Sequence, residues 1–294
     1  MLFVRLGALC NNACVFCAQA QERAVGAGPL SEERVAAVIS DAASRGEPLA
    51  FVGGEPTLHD PLASWIAAAR RAGVPRIVLQ TNARRLTYAS YARELQAAGL
   101  SAIDVSLLGS SAAMHDYHTG TPGAFSQTVQ GMRQARAAGV VVVASCVMTR
   151  SNFRHLADIV RVAHAAGASS IRFRFAARAG RVLQAPDRIV PHPALVAPYL
   201  KLARTQARRL RLDALLLGSA SDPRQPFVDF LADEAEHPVQ HPDGSGFVPP
   251  IVGLEQLAGK PRPAVTERRV RERRTGAELS KILPTFFDPA SGER

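Results

Sequence analysis

The sequence predicts an α/β protein built on a parallel sheet, and three observations carry that prediction. Over the first 180 residues, short apolar runs alternate with amphipathic stretches in units of roughly 30 residues. Glycines stand where three of the amphipathic stretches stop, at Gly99, Gly139 and Gly167, as helix C-termini often require. Polar residues gather where the apolar runs end: cysteines, a Gly-Gly-Glu-Pro, a Thr-Asn and a serine. In a parallel fold the carboxyl ends of the strands share one face, so these signals converge on a single site.

Taken in order, residues 2–6 read as the first strand, with the cysteines directly after it. Residues 31–44 read as a helix with Ser31 as N-cap and Glu32 and Glu33 in its first turn. Residues 49–52 form the second strand, ending in Gly53-Gly54-Glu55-Pro56-Thr57. Asp60 is expected to cap the next helix, with Pro61 at its first position and an end near Arg71. Residues 76–80 are the third strand, ending in Thr81-Asn82, and 88–98 the helix after it. The fourth strand, 102–107, is followed by a longer loop over 108–123 and a helix over 125–138. Residues 140–148 give the fifth strand, 152–166 a helix, and 170–175 the sixth strand. Six β–α units result, compatible with an open sheet or a partial barrel.

Beyond residue 182 the pattern changes. Residues 194–212 read as a helix carrying Arg204, Arg208, Arg209 and Arg211. Residues 218–250, rich in Pro, Asp, Gly and Ser, lack periodicity. A charged helix is expected over 266–282, with an arginine run at 268–274. The chain divides at this level into a domain over 1–182 and an extension over 183–294.

Composition sets outer limits. A chain of 294 residues with 47% hydrophobic and 20% charged residues is an ordinary globular composition. No apolar run reaches the roughly 18 residues of a membrane span, and the first nine residues lack the charged start of a signal peptide. The expected compartment is the cytoplasm, where thiols stay reduced. The net charge of +10 comes almost wholly from arginine, since only Lys201, Lys260 and Lys281 are lysine. It gives weak support to a nucleic-acid partner.

The chemistry starts from Cys10, Cys14 and Cys17, three of the four cysteines within eight residues. Thiols at that spacing bind metal or form disulfides, and three is one short of a closed four-ligand site. The vacant position is the arrangement catalytic metals use; a zinc site completed by His59 is the structural alternative. In Gly53-Gly54-Glu55-Pro56 the glycines permit close backbone approach to a ligand, and Glu55 suits an ammonium group. Cys146, inside the fifth strand, reads as a small buried hydrophobe, with a hydrogen-donor role as the minority reading. Arg172, Arg174 and Arg178 alternate around the sixth strand, where one could take an anionic substrate. Asn152 reads as a helix N-cap, with ribose contact as its alternative.

The cysteine triplet after the first strand and the Gly-Gly-Glu-Pro after the second resemble the radical S-adenosylmethionine superfamily. The likeness extends through Thr81-Asn82, Ser106-Leu107 and His115-Asp116, over about residues 1–180. It implies an incomplete (β/α)6 TIM-like barrel with a short, partly irregular C-terminal extension. It implies a [4Fe-4S] cluster on Cys10, Cys14 and Cys17, with S-adenosyl-L-methionine chelated to the fourth iron and cleaved reductively to a 5′-deoxyadenosyl radical. The implied contacts to this cosubstrate are Phe16, Gly53, Gly54, Glu55, Pro56, Thr81, Asn82 and Ser106. Relatives usually have Gly where this chain has Ala83, and an Arg that holds the methionine carboxylate where it has His118. The implied electron donor is a flavodoxin or ferredoxin. The expected substrate is a peptide or protein; the alternatives are an RNA-modifying enzyme and a non-catalytic iron–sulfur or metal-binding protein. After Cys17 only Cys146 remains, so a second cluster is not expected.

Overall fold

The computed structural model describes residues 1–26 and 28–217. Seven strands, β1 (Leu2–Arg5), β2 (Leu49–Val52), β3 (Ile77–Thr81), β4 (Ala102–Ser106), β5 (Val141–Met148), β6 (Ser170–Phe175) and β7 (Asp213–Leu217), form one parallel sheet in chain order. Between them lie α1 (Ala20–Ala24), α2 (Glu32–Ser44), α3 (Leu62–Arg71), α4 (Ala89–Ala98), α5 (Ala112–Thr119), α6 (Ala124–Ala137), α7 (Leu156–Ala165), α8 (Pro186–Ile189) and α9 (Pro193–Arg209). Strictly sequential strands joined by right-handed crossovers put the connecting helices on one side of the sheet. The other side curls on itself. β1 pairs only with β2 and β7 only with β6, so the barrel is incomplete.

The register separates two faces, because paired residues of parallel strands project to the same side. Val4, Phe51, Leu79, Ile103, Ala144 and Phe173 occupy one face and are buried. Against it lie the apolar stripes of the helices, such as Val35 and Ile39 of α2 and Ile159 and Val160 of α7. Each such side chain contributes about 1.5–3 kcal/mol on burial. The other face carries Arg5, Gln80, Asp104, Ser106, Ser145, Arg172 and Arg174. All-parallel strands are usually apolar on both faces; here the inner one is a polar lumen. Its floor is tied by a hydrogen bond from Ser145 Oγ to Asp104 Oδ1 at 2.5 Å and by Arg172 Nη1 at 3.7 Å from Asp104 Oδ2.

Several elements differ from the sequence expectation. The sheet does not stop at β6: α9 and β7 add a seventh unit beyond residue 182. The β7 sequence, Asp-Ala-Leu-Leu-Leu, has helix-favouring composition and follows a helix, so periodicity alone did not separate it. The loop expected over 108–123 contains α5, capped by Ser111, whose Oγ accepts from Met114 N, and ended by Gly120 at φ +60°. Asp60 caps nothing; Pro61 itself occupies the N-cap of α3. Asn152 makes no capping bond, and the chain enters α7 through a 3-10 turn, Phe153–His155. Ser31 does cap α2, and Gly99 ends α4 at φ +121°. The stretch 218–250, the helix expected over 266–282 and the arginines of 268–274 lie outside the described residues.

Candidate functional site

The loop after β1 carries Cys10, Cys14 and Cys17, each half-buried. Other elements fasten its backbone along its length. Before Cys10, Gly54 N donates to Gly7 O at 2.8 Å and Glu55 N to Leu9 O at 2.7 Å. In the middle, Ala13 N donates to Thr119 O and Val15 N to His118 O, at the end of α5. At the far end Arg181 N donates to Cys17 O at 3.0 Å. The loop after β1 is therefore held by the loops after β2, β4 and β6.

The glycines of Gly53-Gly54-Glu55-Pro56 make this possible. A Cβ on Gly54 would lie 2.2 Å from Leu9 O and 2.6 Å from Ala8 O. Gly53, at φ +145°, sits equally tight on Gly7 O. What approaches these glycines is the cysteine loop itself. Pro56 opens a buried 3-10 turn, Pro56–Leu58.

Glu55 is buried, and its carboxylate turns back toward β3. Oε1 accepts from Thr57 N, Thr57 Oγ1 and Thr81 Oγ1, and Oε2 accepts from Asn82 N at 2.6 Å. Burial pushes its pKa up, against the pull of these donors. All four contacts fix the turn, so the carboxylate is spent on scaffold and not offered to an ammonium group. Asn82 extends the network: its Nδ2 donates to Asn11 Oδ1 at 2.7 Å and its carbonyl accepts from Thr128. Ala83 adopts φ +61°, the left-handed conformation that explains why glycine suits this position.

His118 lies fully buried, with Nδ1 2.6 Å from Met114 O and Nε2 2.7 Å from Thr149 Oγ1. The carbonyl can only accept, so Nδ1 carries the proton and Nε2 accepts from the threonine hydroxyl. Burial lowers its pKa further. The ring is neutral and both nitrogens are engaged, so it does not supply the charge of an arginine. Asn152, also fully buried, accepts from Thr149 N at 2.8 Å and donates to Leu108 O and Val147 O at 3.0 and 2.9 Å. Its amide joins the loops after β4 and β5, which replaces both the capping and the ribose-contact expectations. Phe16 packs against the cluster of Leu108, Val147, Ala176 and Val182. Ser106 ends β4, half-buried on the lumen face in register with Ser145. Cys146 is on the opposite, helix-covered face, wholly buried, with its thiol pushed up to about 12 by burial; this leaves it no path to the lumen.

Burial also raises the thiol pKa of Cys10 and takes that of Cys14 to about 12, with the charges of Cys10 and Cys17 adding to the latter. The three thiols thus sense one another. Among the described residues no three His, Cys, Asp or Glu side chains stand in a metal-ligating group. His59 packs against Trp65 and completes no such group. The donor chemistry, three soft thiols in one held loop, fits an iron–sulfur cluster, with the thiols still to be gathered.

Sequence reasoning missed three parts of the site. Gly180, at φ +55°, would place a Cβ 2.2 Å from Cys17 O, and Gly120 one 2.8 Å from Ala13 O. Asn11 and Asn12 are bonded to Asn82 and Arg84. Arg23, Arg84 and Arg181 all reach loop carbonyls. A glycine directly before an arginine at the end of the sixth β–α unit was the available signal for Gly180. Arg208, Arg209 and Arg211 lie in solvent, as a solvated helix face does. No helix among the described residues is long and apolar enough to cross a membrane.

A parallel partial barrel with a three-cysteine loop at the carboxyl edge of its first strand defines a class of protein. Residues 4–163, more than half the chain, match the family model of the Radical SAM superfamily, and the chain belongs to that superfamily. It is 29% identical over 182 residues to AdoMet-dependent heme synthase of Nitratidesulfovibrio vulgaris, covering 62% of this chain and 49% of that protein. The chain spans about half the length of the curated relatives it matches first. Among solved structures it resembles Streptococcus suis SuiB bound to precursor peptide SuiA, at TM-score 0.61 and 14% identity over 80% of this chain and 51% of that one. It also resembles anSMEcpe with bound AdoMet and Kp18Cys peptide, at TM-score 0.60 and 18% identity over 73% and 62%.

Proposed function

We propose that this chain is a radical S-adenosylmethionine enzyme in which Cys10, Cys14 and Cys17 hold a [4Fe-4S] cluster and S-adenosyl-L-methionine takes the fourth iron. The observation that carries the reading is the cysteine loop itself: three half-buried thiols on a backbone fastened at both ends, beside the Gly-Gly-Glu-Pro turn. When bound, the cluster supplies one electron to the sulfonium, whose bond to the 5′-carbon breaks into methionine and a 5′-deoxyadenosyl radical that takes hydrogen from the substrate. A flavodoxin or ferredoxin delivers that electron.

The chain's own residues bind and shield. Gly53, Gly54 and Pro56 shape the turn beside the thiols; Glu55, Thr81 and Asn82 lock it. Phe16 and its apolar neighbours exclude water from one side of the loop. On the lumen face, Ser106 offers a hydroxyl and half-buried Arg174 a cation. Since His118 is neutral, Arg174 is the better counter-charge for a carboxylate.

A peptide or protein is the first substrate reading, supported by the peptide complexes of SuiB and anSMEcpe. The likeness to heme synthase favours a second, a tetrapyrrole. Anaerobic reconstitution with iron and sulfide, then dithionite and S-adenosylmethionine, tests the activity. The expected product is 5′-deoxyadenosine, absent with Cys14→Ala; a loaded, reducible cluster that yields none refutes the reading. A Cys14→Ala protein that keeps a complete cluster refutes the ligand assignment. Peptides encoded beside the gene and iron porphyrins, added in parallel, distinguish the two substrates by which one accelerates 5′-deoxyadenosine release.

A further inference from the structure

Five consecutive carbonyls, those of residues 10 to 14, each accept a hydrogen bond from an arginine. Arg23 Nη1 donates to Asn12 O at 2.6 Å and Nη2 to Cys10 O at 3.0 Å. Arg84 Nη1 donates to Asn11 O at 2.5 Å and to Asn12 Oδ1 at 3.0 Å. Arg181 Nη1 donates to Ala13 O at 2.5 Å and to Cys14 O at 3.0 Å. The three guanidiniums come from three places: α1, the loop after β3, and the turn after β6. Each is placed by a contact of its own. An Arg5–Glu22 ion pair ties α1 to β1, Gln127 Oε1 accepts from Arg84 Nε, and Arg181 is bonded through its backbone to Cys17.

Loop carbonyls need partners when water is scarce, but one or two donors or neighbouring amides suffice for that. Three half-buried cations around five residues are costly, because like charges repel in a low-dielectric setting. None of the three meets a carboxylate among the described residues. Glu22 is engaged by Arg5, and Glu55 is closed within its own network. The arrangement is balanced only when the loop itself carries negative charge, as three thiolates and a reduced cluster do. Arginine is the residue suited to this task, since its planar fork spans two carbonyls while its charge cannot be lost.

We propose that Arg23, Arg84 and Arg181 are positioning residues that clamp the cysteine loop before metal arrives and supply the positive charge that offsets the loaded centre. The proposal rests on the cluster reading above. Metal then has only to gather thiols that hang from a fixed backbone. Cations near the centre also favour the more negative, reduced state, so they set its potential higher.

The test uses the full chain with each arginine replaced by Gln and by Lys, and Arg45→Gln as a surface control. In the metal-free protein, hydrogen–deuterium exchange of the amides of Ala13, Val15 and Cys17 should rise in the Gln variants while those of β4 and β5 stay protected. After anaerobic reconstitution, iron per chain should fall, and the midpoint potential of what loads should move to more negative values. Lys keeps charge without the fork, so it should return the potential toward wild type and leave loop exchange raised. Unchanged loop exchange in all three Gln variants overturns the clamp, whatever the metal does. Unchanged potential in loaded Gln variants, or a Lys variant no different from Gln in potential, overturns the charge role. A wild-type chain that takes up no cluster refutes the function proposed above, while the exchange experiment still decides the clamp.

Discussion

Gly54→Ala is the sharpest single perturbation the geometry offers. A Cβ at this position would stand 2.2 Å from Leu9 O, where ordinary contact begins near 3.2 Å, so one backbone segment must retreat by about 1 Å. That movement breaks Gly54 N to Gly7 O and Glu55 N to Leu9 O, each worth about 1 kcal/mol. Local overpacking adds about 1–3 kcal/mol. The expected destabilisation is about 3–5 kcal/mol, a fall in Tm of about 8–16 °C for a domain of this size. Gly28→Ala is the control, because nothing lies within 4 Å of its added Cβ; it should change stability by less than about 0.5 kcal/mol. Circular-dichroism melting of both variants, with iron per chain after reconstitution, reads stability and site separately. A Gly54→Ala protein that melts like wild type and loads the same iron would refute the claim that this glycine exists to admit the cysteine loop.

Asn152→Ala strands three buried backbone groups and should cost about 3–5 kcal/mol in denaturant melts; Asn152→Asp, which puts a carboxylate against Leu108 O and Val147 O, should be no better. Asp104→Asn leaves Arg172 in the lumen floor without its carboxylate and should cost about 3–5 kcal/mol, whereas Asp104→Leu with Arg172→Met should recover most of that loss in the same melts. His115 gives a pH signature. Burial lowers its pKa to about 4, with Asp116 opposing and His118 and Arg84 adding to the effect. The folded state therefore keeps this ring neutral while the unfolded chain protonates it below about pH 6.5. Stability present above that pH is lost as pH falls toward 4, by about 2 kcal/mol at pH 5. Urea titrations at pH 7 and pH 5 should show that difference narrowing in His115→Gln.

The fold was legible because its periodicities are clean: apolar strands, amphipathic helices and terminal glycines place six units within a residue or two. The polar lumen was half visible in Ser-Ile-Arg-Phe-Arg-Phe of β6, where alternation shows one face charged. β7 was not, because a five-residue apolar strand after a helix has no period of its own. At the site, residue types announced the thiols and the glycine turn, but their purposes depended on through-space partners. Glu55 looked like a ligand group and is a brace, since its four donors come from Thr57, Thr81 and Asn82. His118 looked like a substitute cation and is a neutral link between α5 and the end of β5. Arginines 23, 84 and 181 carry no local signature, because the contacts that define them span up to 168 residues.

That separation bears on when the site comes into being. The cysteine loop is made among the first twenty residues, yet its last tethers, Gly180 and Arg181, are made after six of the seven strands. During synthesis the thiols must wait for most of the barrel before their backbone is fully held. Long-range closure of this kind is slow compared with local helix formation. Any truncation ending before residue 181 should expose reactive, unanchored thiols, so assembly of the centre becomes a checkpoint on a finished sheet.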